Sequence, residues 1–331
     1  MPAKKRKKRR EDNKEEGAKL TLNSTTNTNL KGISPNKIPP DISSTIRQSP
    51  GMTGSLIIRL DGNCCSAGGK TSIKEQYSKT PFIAQRALYL EESLPRMAYV
   101  YIVSVSGGIL QGDRYTIDIT LENKAIAHLT TQGAMRIYRM EKNNYATQIL
   151  NIDVQQGCYL EYVPDQIIPY RGSHFSQSAN IKVHDEATLI YSEILTSGRM
   201  ASGENFGYDK CCLKTVAKNH EGKLRFVDSA VLEPKSGGMS KLGILGEWKV
   251  VASIYVLAGR IHTLTLKNQI NIGLQNFDSV NAGATILPDN SGIIVRILGN
   301  NAGEIRTVVH EIIRTVRKKI LNAPFSGMRK S

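Results

Sequence analysis

Residues 107–140, GGILQGDRYTIDITLENKAIAHLTTQGAMRIYRM, hold the pattern that decides the fold class. A glycine-rich turn, Gly107-Gly108 with Gly112-Asp113, opens onto an alternating run: Tyr115, Ile117, Ile119 and Leu121 on one face, Thr116, Asp118 and Thr120 on the other. Side chains alternate across a strand with a period of two, so this run predicts a half-buried β-strand. Glu122-Asn123-Lys124 supplies a turn, and 125–130 predicts a second strand. The polar corner Thr130-Thr131-Gln132-Gly133 then leads to a third apolar run through Met135, Ile137 and Tyr138. Read by itself, the stretch is a β-meander framed by glycine corners.

Outward from it the chain repeats the theme. Residues 99–105, YVYIVSV, are β-branched and aromatic throughout, which predicts a strand covered on both faces. Short apolar runs follow at 148–154, 158–163, 180–184, 187–195, 211–217, 223–232, 248–257, 260–266 and 292–298, most of them bounded by Gly, Asn, Asp or Pro. Helical periodicity is almost absent between them, so the body is expected to be mainly β, built of many short strands in a meander-like arrangement. The exception is the C-terminus. Ile305, Val308, Val309, Ile312, Ile313, Val316 and Ile320 form the stripe of an amphipathic helix over about 302–321. Asn301 is its expected cap, Glu304 lies in the first turn, and Lys318 and Lys319 lie near the negative end of the dipole.

Of the net charge of +15, residues 1–50 contribute +7, and seven consecutive cations run from Lys4 to Arg10. Such a run can pair with phosphates or carboxylates, but the polar residues after it, rich in Thr, Asn, Ser and Pro, read as a disordered tail and linker ahead of a β-domain at 51–331. No apolar run is long enough to span a membrane, and the N-terminus lacks the apolar core of a secretory signal, so a cytoplasmic location is expected. The five cysteines, two vicinal pairs and Cys158, show no CxxC spacing and predict neither a disulfide framework nor a structural zinc site.

Catalytic motifs are missing. The six histidines are scattered without HExxH or HxH, and there is no GxSxG. GGKT at 68–71 fails the phosphate-loop pattern because Cys64 stands where the first glycine is needed. Polar groups at strand ends remain: Asp113 after a glycine corner, Glu161 and Asp165 four apart in LEYVPD, His174 after Gly172, and Glu204 after Gly203. Carboxylates and imidazoles can hold a divalent metal of borderline hardness, and each such residue taken singly can equally be a turn or surface group.

Four motifs in order resemble the urease accessory protein UreD (UreH) family. They are the GG-x-x-x-GD turn, the TTQ corner followed by Tyr138, LEYVPD with Ile168-Pro169-Tyr170, and Gly198-Arg199 with Gly203-Glu204-Asn205-Phe206. The resemblance implies an unusual β-helical fold with two helices and a non-catalytic scaffold. It also implies that the chain joins the accessory proteins UreF and UreG, the latter a GTPase, to apo-urease, as a dimer of heterotrimers. Nickel is then cargo in transit, not a tightly bound cofactor, and Glu161, Asp165 and Glu204, with Asp113 next, are the expected lining of its route. Gly107, Gly108, Gly112, Thr131, Gln132, Gly198, Arg199 and Gly203 are expected to be structural. The chain departs from the family at Ser104-Val105-Ser106, where many members carry His-Pro, and in its first 50 residues. The alternative reading, a β-rich nucleic-acid-binding protein, rests on the basic arm alone.

Overall fold

The computed structural model describes residues 51–62, 69–241 and 244–327. The N-terminal tail, Cys64 and Cys65, and the start of the GGKT loop lie outside them.

Each turn of the chain contributes one strand to each of two facing sheets. The first sheet is built on β1 (Thr53–Asp61), β5 (Arg114–Glu122), β8 (Ala146–Val154), β11 (His174–Val183) and β13 (Lys210–Lys218), all mutually parallel. Its edges are closed antiparallel by β2 (Ser72–Lys79) and β14 (Leu224–Leu232). The second has a parallel centre of β4 (Ala98–Ser104), β6 (Ile126–Thr131), β9 (Tyr159–Tyr162) and β12 (Thr188–Thr196). It is extended antiparallel by β3 (Phe82–Ala84) on one side, and by β15 (Val250–Leu257), β17 (Ile293–Gly299) and β16 (Asn281–Ile286) on the other. The short strands β7 (Met135–Ile137) and β10 (Ile167–Pro169) pair with each other at the corners. The body is therefore mainly β, as the runs predict, and solenoid-like, as the family resemblance implies.

Within 107–140, however, the local meander is not what forms. β5 pairs with β1 and β8, whereas β6 pairs with β4 and β9 in the facing sheet. The turn between them, with Asn123 and Lys124 both at positive φ, carries the chain from one sheet to the other. Alternation along a strand reports which face is buried, not which neighbour it pairs with. The glycine corner has a steric reason: a Cβ on Gly108 would lie 2.5 Å from the Arg136 carbonyl oxygen, so only glycine allows this approach.

Two apolar layers result. Leu56, Ile58, Ile117, Leu150, Phe175 and Leu189 are among those filling the space between the sheets. The second layer lies between the outer face of the second sheet and the helices α1 (Arg260–Leu274) and α2 (Ala302–Ile320). α2 buries Ile305, Val308, Val309, Ile312, Ile313 and Val316, the predicted stripe. Its Asn301 cap forms as well, Oδ1 accepting the Gly303 N–H at 2.7 Å. Asn301→Ala should cost about 1 kcal/mol, read as a lower urea midpoint with an unchanged slope.

Residues 260–266, read from sequence as a strand, open α1 instead. Thr263, Leu266, Ile270 and Leu274 are its buried positions, and the helical period emerges only when the run is followed past Leu266. Among the described residues no helix is long and apolar enough to cross a membrane.

Candidate functional site

Between the sheets, at the end where the GG and TTQG corners meet, lies a cavity of about 160 Å³. Its exposed lining residues, Ser104, Gly107, Gln132, Gly133 and Arg136, all flank or belong to those corners, so the cavity opens there. The corner is tied together by side chains. Thr131 Oγ1 accepts the Asp165 N–H at 2.8 Å and donates to the Gly133 carbonyl at 3.1 Å, while Gly133 N–H donates to Asp165 Oδ2 at 2.9 Å. Gln132 N–H donates to the Ile102 carbonyl. Asp165 therefore stands at the mouth, clasped by the TTQG corner, with Arg306 3.5 Å from its other oxygen.

Deeper in, the lining turns polar where a core would be apolar. Gln148 and Gln177 are cross-strand neighbours on β8 and β11, and Gln148 Nε2 donates to Gln177 Oε1 at 2.9 Å. Gln177 Nε2 and the Tyr191 hydroxyl both donate to Glu193 Oε1 at 2.7 Å. Burial outweighs those two donors and holds the Glu193 carboxyl above its ordinary pKa, with Asp228 adding to the rise. Gln148 Oε1 and Ser192 Oγ, both in lining residues, are buried without a hydrogen-bond partner among the described residues.

From Glu193 a polar row continues across the second sheet. Glu193 is in register with Ser253, and Ser253 with Arg296. Arg296 reaches over to Asp228 of β14 in the facing sheet, and Asp228 also accepts the Tyr255 hydroxyl at 2.5 Å. Along this row the rings of Tyr162, Tyr191, Tyr255 and Phe226 stack at 5.0–5.8 Å between centroids. Sequence reasoning missed Glu193 and Asp228. The signal was there: a carboxylate inside the apolar runs ATLIYSEILT and LRFVDSAVL, where a charge is rare unless it is used.

The other predicted acids lie elsewhere. Asp113 is filled by donors, the Met52 N–H on Oδ1 at 2.8 Å, the Leu110 N–H on Oδ2 at 2.9 Å and the Tyr115 hydroxyl on Oδ2 at 2.8 Å, which is how a turn is anchored. Glu204 pairs with Arg199, whose hydrogen bond holds the Glu204 carboxyl below its ordinary pKa. The Arg199 guanidinium lies 4.4 Å from the Tyr170 ring, and Gly203 closes the turn at φ +75°. His174 opens β11 with its ring 5.7 Å from that of Tyr145, and burial followed by Lys210 lowers its pKa.

Glu161 does not share a face with Asp165. It points to the helix layer, where Arg317 donates to both its oxygens at 2.6 and 2.7 Å, His128 Nδ1 lies 2.6 Å away, and the Tyr159 hydroxyl donates at 2.8 Å. Burial opposes ionisation, yet Arg317 and His128 hold the carboxyl down to about 2. A depressed carboxylate stabilises the fold above its unfolded pKa and loses that contribution as pH falls through the folded value. The urea midpoint should therefore hold down to about pH 4.5 and then fall towards pH 2, and the part of this slope that is due to Glu161 should shrink in Arg317→Met.

Among the described residues no group of three His, Cys, Asp or Glu side chains could hold a metal ion. The acids of the cavity stand singly, without a second carboxylate, imidazole or thiol pair to complete a ligand set among the described residues.

A family model described as UreD urease accessory protein matches residues 53–331. The chain belongs to the UreD family. It is 39% identical over 280 residues to the urease accessory protein UreD of Cenarchaeum symbiosum, covering 85% of this chain and 98% of that protein. The UreD of Photorhabdus laumondii is 35% identical over 256 residues, 77% of this chain and 79% of its own length. UreD 2 of Brucella canis is 36% identical over 256 residues, 77% and 84% respectively. Of the four motifs that carry the resemblance, the GG turn and the TTQ corner frame the cavity mouth.

Proposed function

We propose that this UreD-family chain is a non-catalytic scaffold of urease maturation whose intersheet cavity conducts nickel. It would join UreF and the GTPase UreG to apo-urease, in a dimer of heterotrimers in the cytoplasm. The carrying observation is a cavity that opens at the GG and TTQG corners and holds buried polar side chains among apolar ones, with one carboxylate at the mouth and another within.

Nickel is cargo. Asp165 offers an oxygen where the cation enters, Glu193 one at depth, and Asp228 one where the polar row reaches the sheet edge. Single carboxylates with amide and hydroxyl neighbours suit transit, because a set of three or four convergent ligands would trap the ion. Burial disfavours the ionised form of Glu193, and a cation beside it would offset that cost. Asp113, Glu161 and Glu204 serve as structural anchors in this reading.

The test is co-expression of apo-urease and its accessory proteins with Asp165→Asn, Glu193→Gln or both. Nickel per urease active site should fall, most in the double variant, while the partners still co-purify. Full nickel loading by the double variant would refute the route.

A further inference from the structure

Gln148 is 3% exposed and lines the intersheet cavity, yet its Oε1 has no hydrogen-bond partner among the described residues. A buried carbonyl oxygen without a donor carries its full desolvation cost, so its presence calls for a donor from outside the chain. What Gln148 presents to the cavity is dictated from the facing sheet. Glu193 Oε1 accepts the Tyr191 hydroxyl and Gln177 Nε2, so Gln177 turns its NH2 group to the carboxyl and its carbonyl to β8. Gln177 Oε1 then takes Gln148 Nε2 at 2.9 Å, which leaves Gln148 Oε1 as the free end of the chain of amides. The carboxyl at one end thus decides that the other end offers an acceptor and not a donor. Gln177 is 4% exposed and Glu193 7%, so bulk solvent does not compete for either link.

The cavity is large enough for more than a bare ion. At about 10–15 Å³ per water, its 160 Å³ has room for about ten waters, enough for a divalent cation with its hydration shell. A water polarised by a cation is a strong donor, and a neutral carbonyl oxygen holds it without adding a charge that would trap the ion. We propose that Gln148 is a positioning residue for the cargo: its Oε1 accepts a hydration water of the divalent cation in the cavity, with Gln177 as the strut that keeps this oxygen turned to the ion. The inference rests on the nickel-route reading for the identity of the cation, and it adds to that route a neutral station tied through Gln177 to the Glu193 carboxyl.

The test co-expresses the full chain with apo-urease and the other urease accessory proteins at limiting nickel. Two quantities are measured: nickel per urease active site, and nickel that co-purifies with this chain. Gln148→Leu removes the oxygen at similar volume and should lower loading about threefold or more while the partners stay bound, the loss expected when a polar ligand is withdrawn. Gln148→Met is the second choice should Leu not fold, and a thermal scan monitors both. Gln148→Glu keeps an oxygen and adds a charge to the cavity that Glu193 lines. It should load urease poorly for the opposite reason, because nickel stays on this chain at a level the native protein does not reach. A residue that only packs would give both variants the same loss with no nickel retained. Native loading by Gln148→Leu would leave Oε1 as the acceptor of a buried water only and overturns the proposal, as does a folded Gln148→Glu that retains no nickel. If the Gln148 variants load normally while Asp165→Asn/Glu193→Gln does not, this inference alone fails. If Asp165→Asn/Glu193→Gln loads normally while Gln148→Glu retains nickel, the route fails and the cation station stands.

Discussion

Replacing Arg317 with Met should destabilise the protein by about 3–5 kcal/mol, the usual consequence of stranding a buried charge. Arg317 and Glu161 are both fully buried, and the guanidinium also donates to Glu91 at 2.6 Å and Tyr99 at 2.9 Å. Its ring neighbour Phe325, 4.4 Å away, holds the segment after α2 against the same cluster. Met fills much of the volume and none of the donors, so Glu161 is left with His128 and Tyr159 alone. Adding Glu161→Gln removes the stranded charge and should return part of the loss. Urea unfolding of the three variants decides it: a loss under about 1 kcal/mol for Arg317→Met would mean that Glu161 takes up a proton or water instead.

The second large effect separates function from stability. A carboxyl whose folded pKa is raised costs stability at pH values above its unfolded pKa, because folding there must neutralise it or bury a charge. Glu193→Gln keeps an acceptor for Gln177 and Tyr191 and carries no charge, so the variant should be at least as stable as the native chain at neutral pH. Nickel loading of urease should nevertheless drop, because a neutral amide is a weaker ligand for a divalent cation than a carboxylate. A variant that is more stable and still loads urease fully would make Glu193 a packing residue.

Much of this architecture was legible in the chain. The alternation of 115–121 and the stripe of 302–320 report burial directly, and each became the expected strand or helix. The facing of β5 and β6 into different sheets was not legible, because a period of two is the same for a meander and for a solenoid. α1 escaped because its first seven residues fit either period. The acids were ranked by neighbouring glycines and by motif, which finds corners; in the structure Asp113 and Glu204 bond to the groups that form those corners. Glu161 needed its partner Arg317, 156 residues away, before its role could be read. Glu193 needed the two glutamines that face it from other strands, a juxtaposition that no local pattern contains.

On the proposed reading, the space between the sheets carries the metal. Ile117 and Leu150 are cross-strand neighbours that line it, and neither is polar. Ile117→Phe with Leu150→Phe fills the cavity while leaving every carboxylate and ion pair in place, at an overpacking cost of about 1–3 kcal/mol that a thermal scan can monitor. Nickel per urease active site, measured after co-expression with the filled variant, should fall to the level obtained without this chain although the partners still assemble. Native nickel content with a folded, filled variant would contradict a route through the cavity.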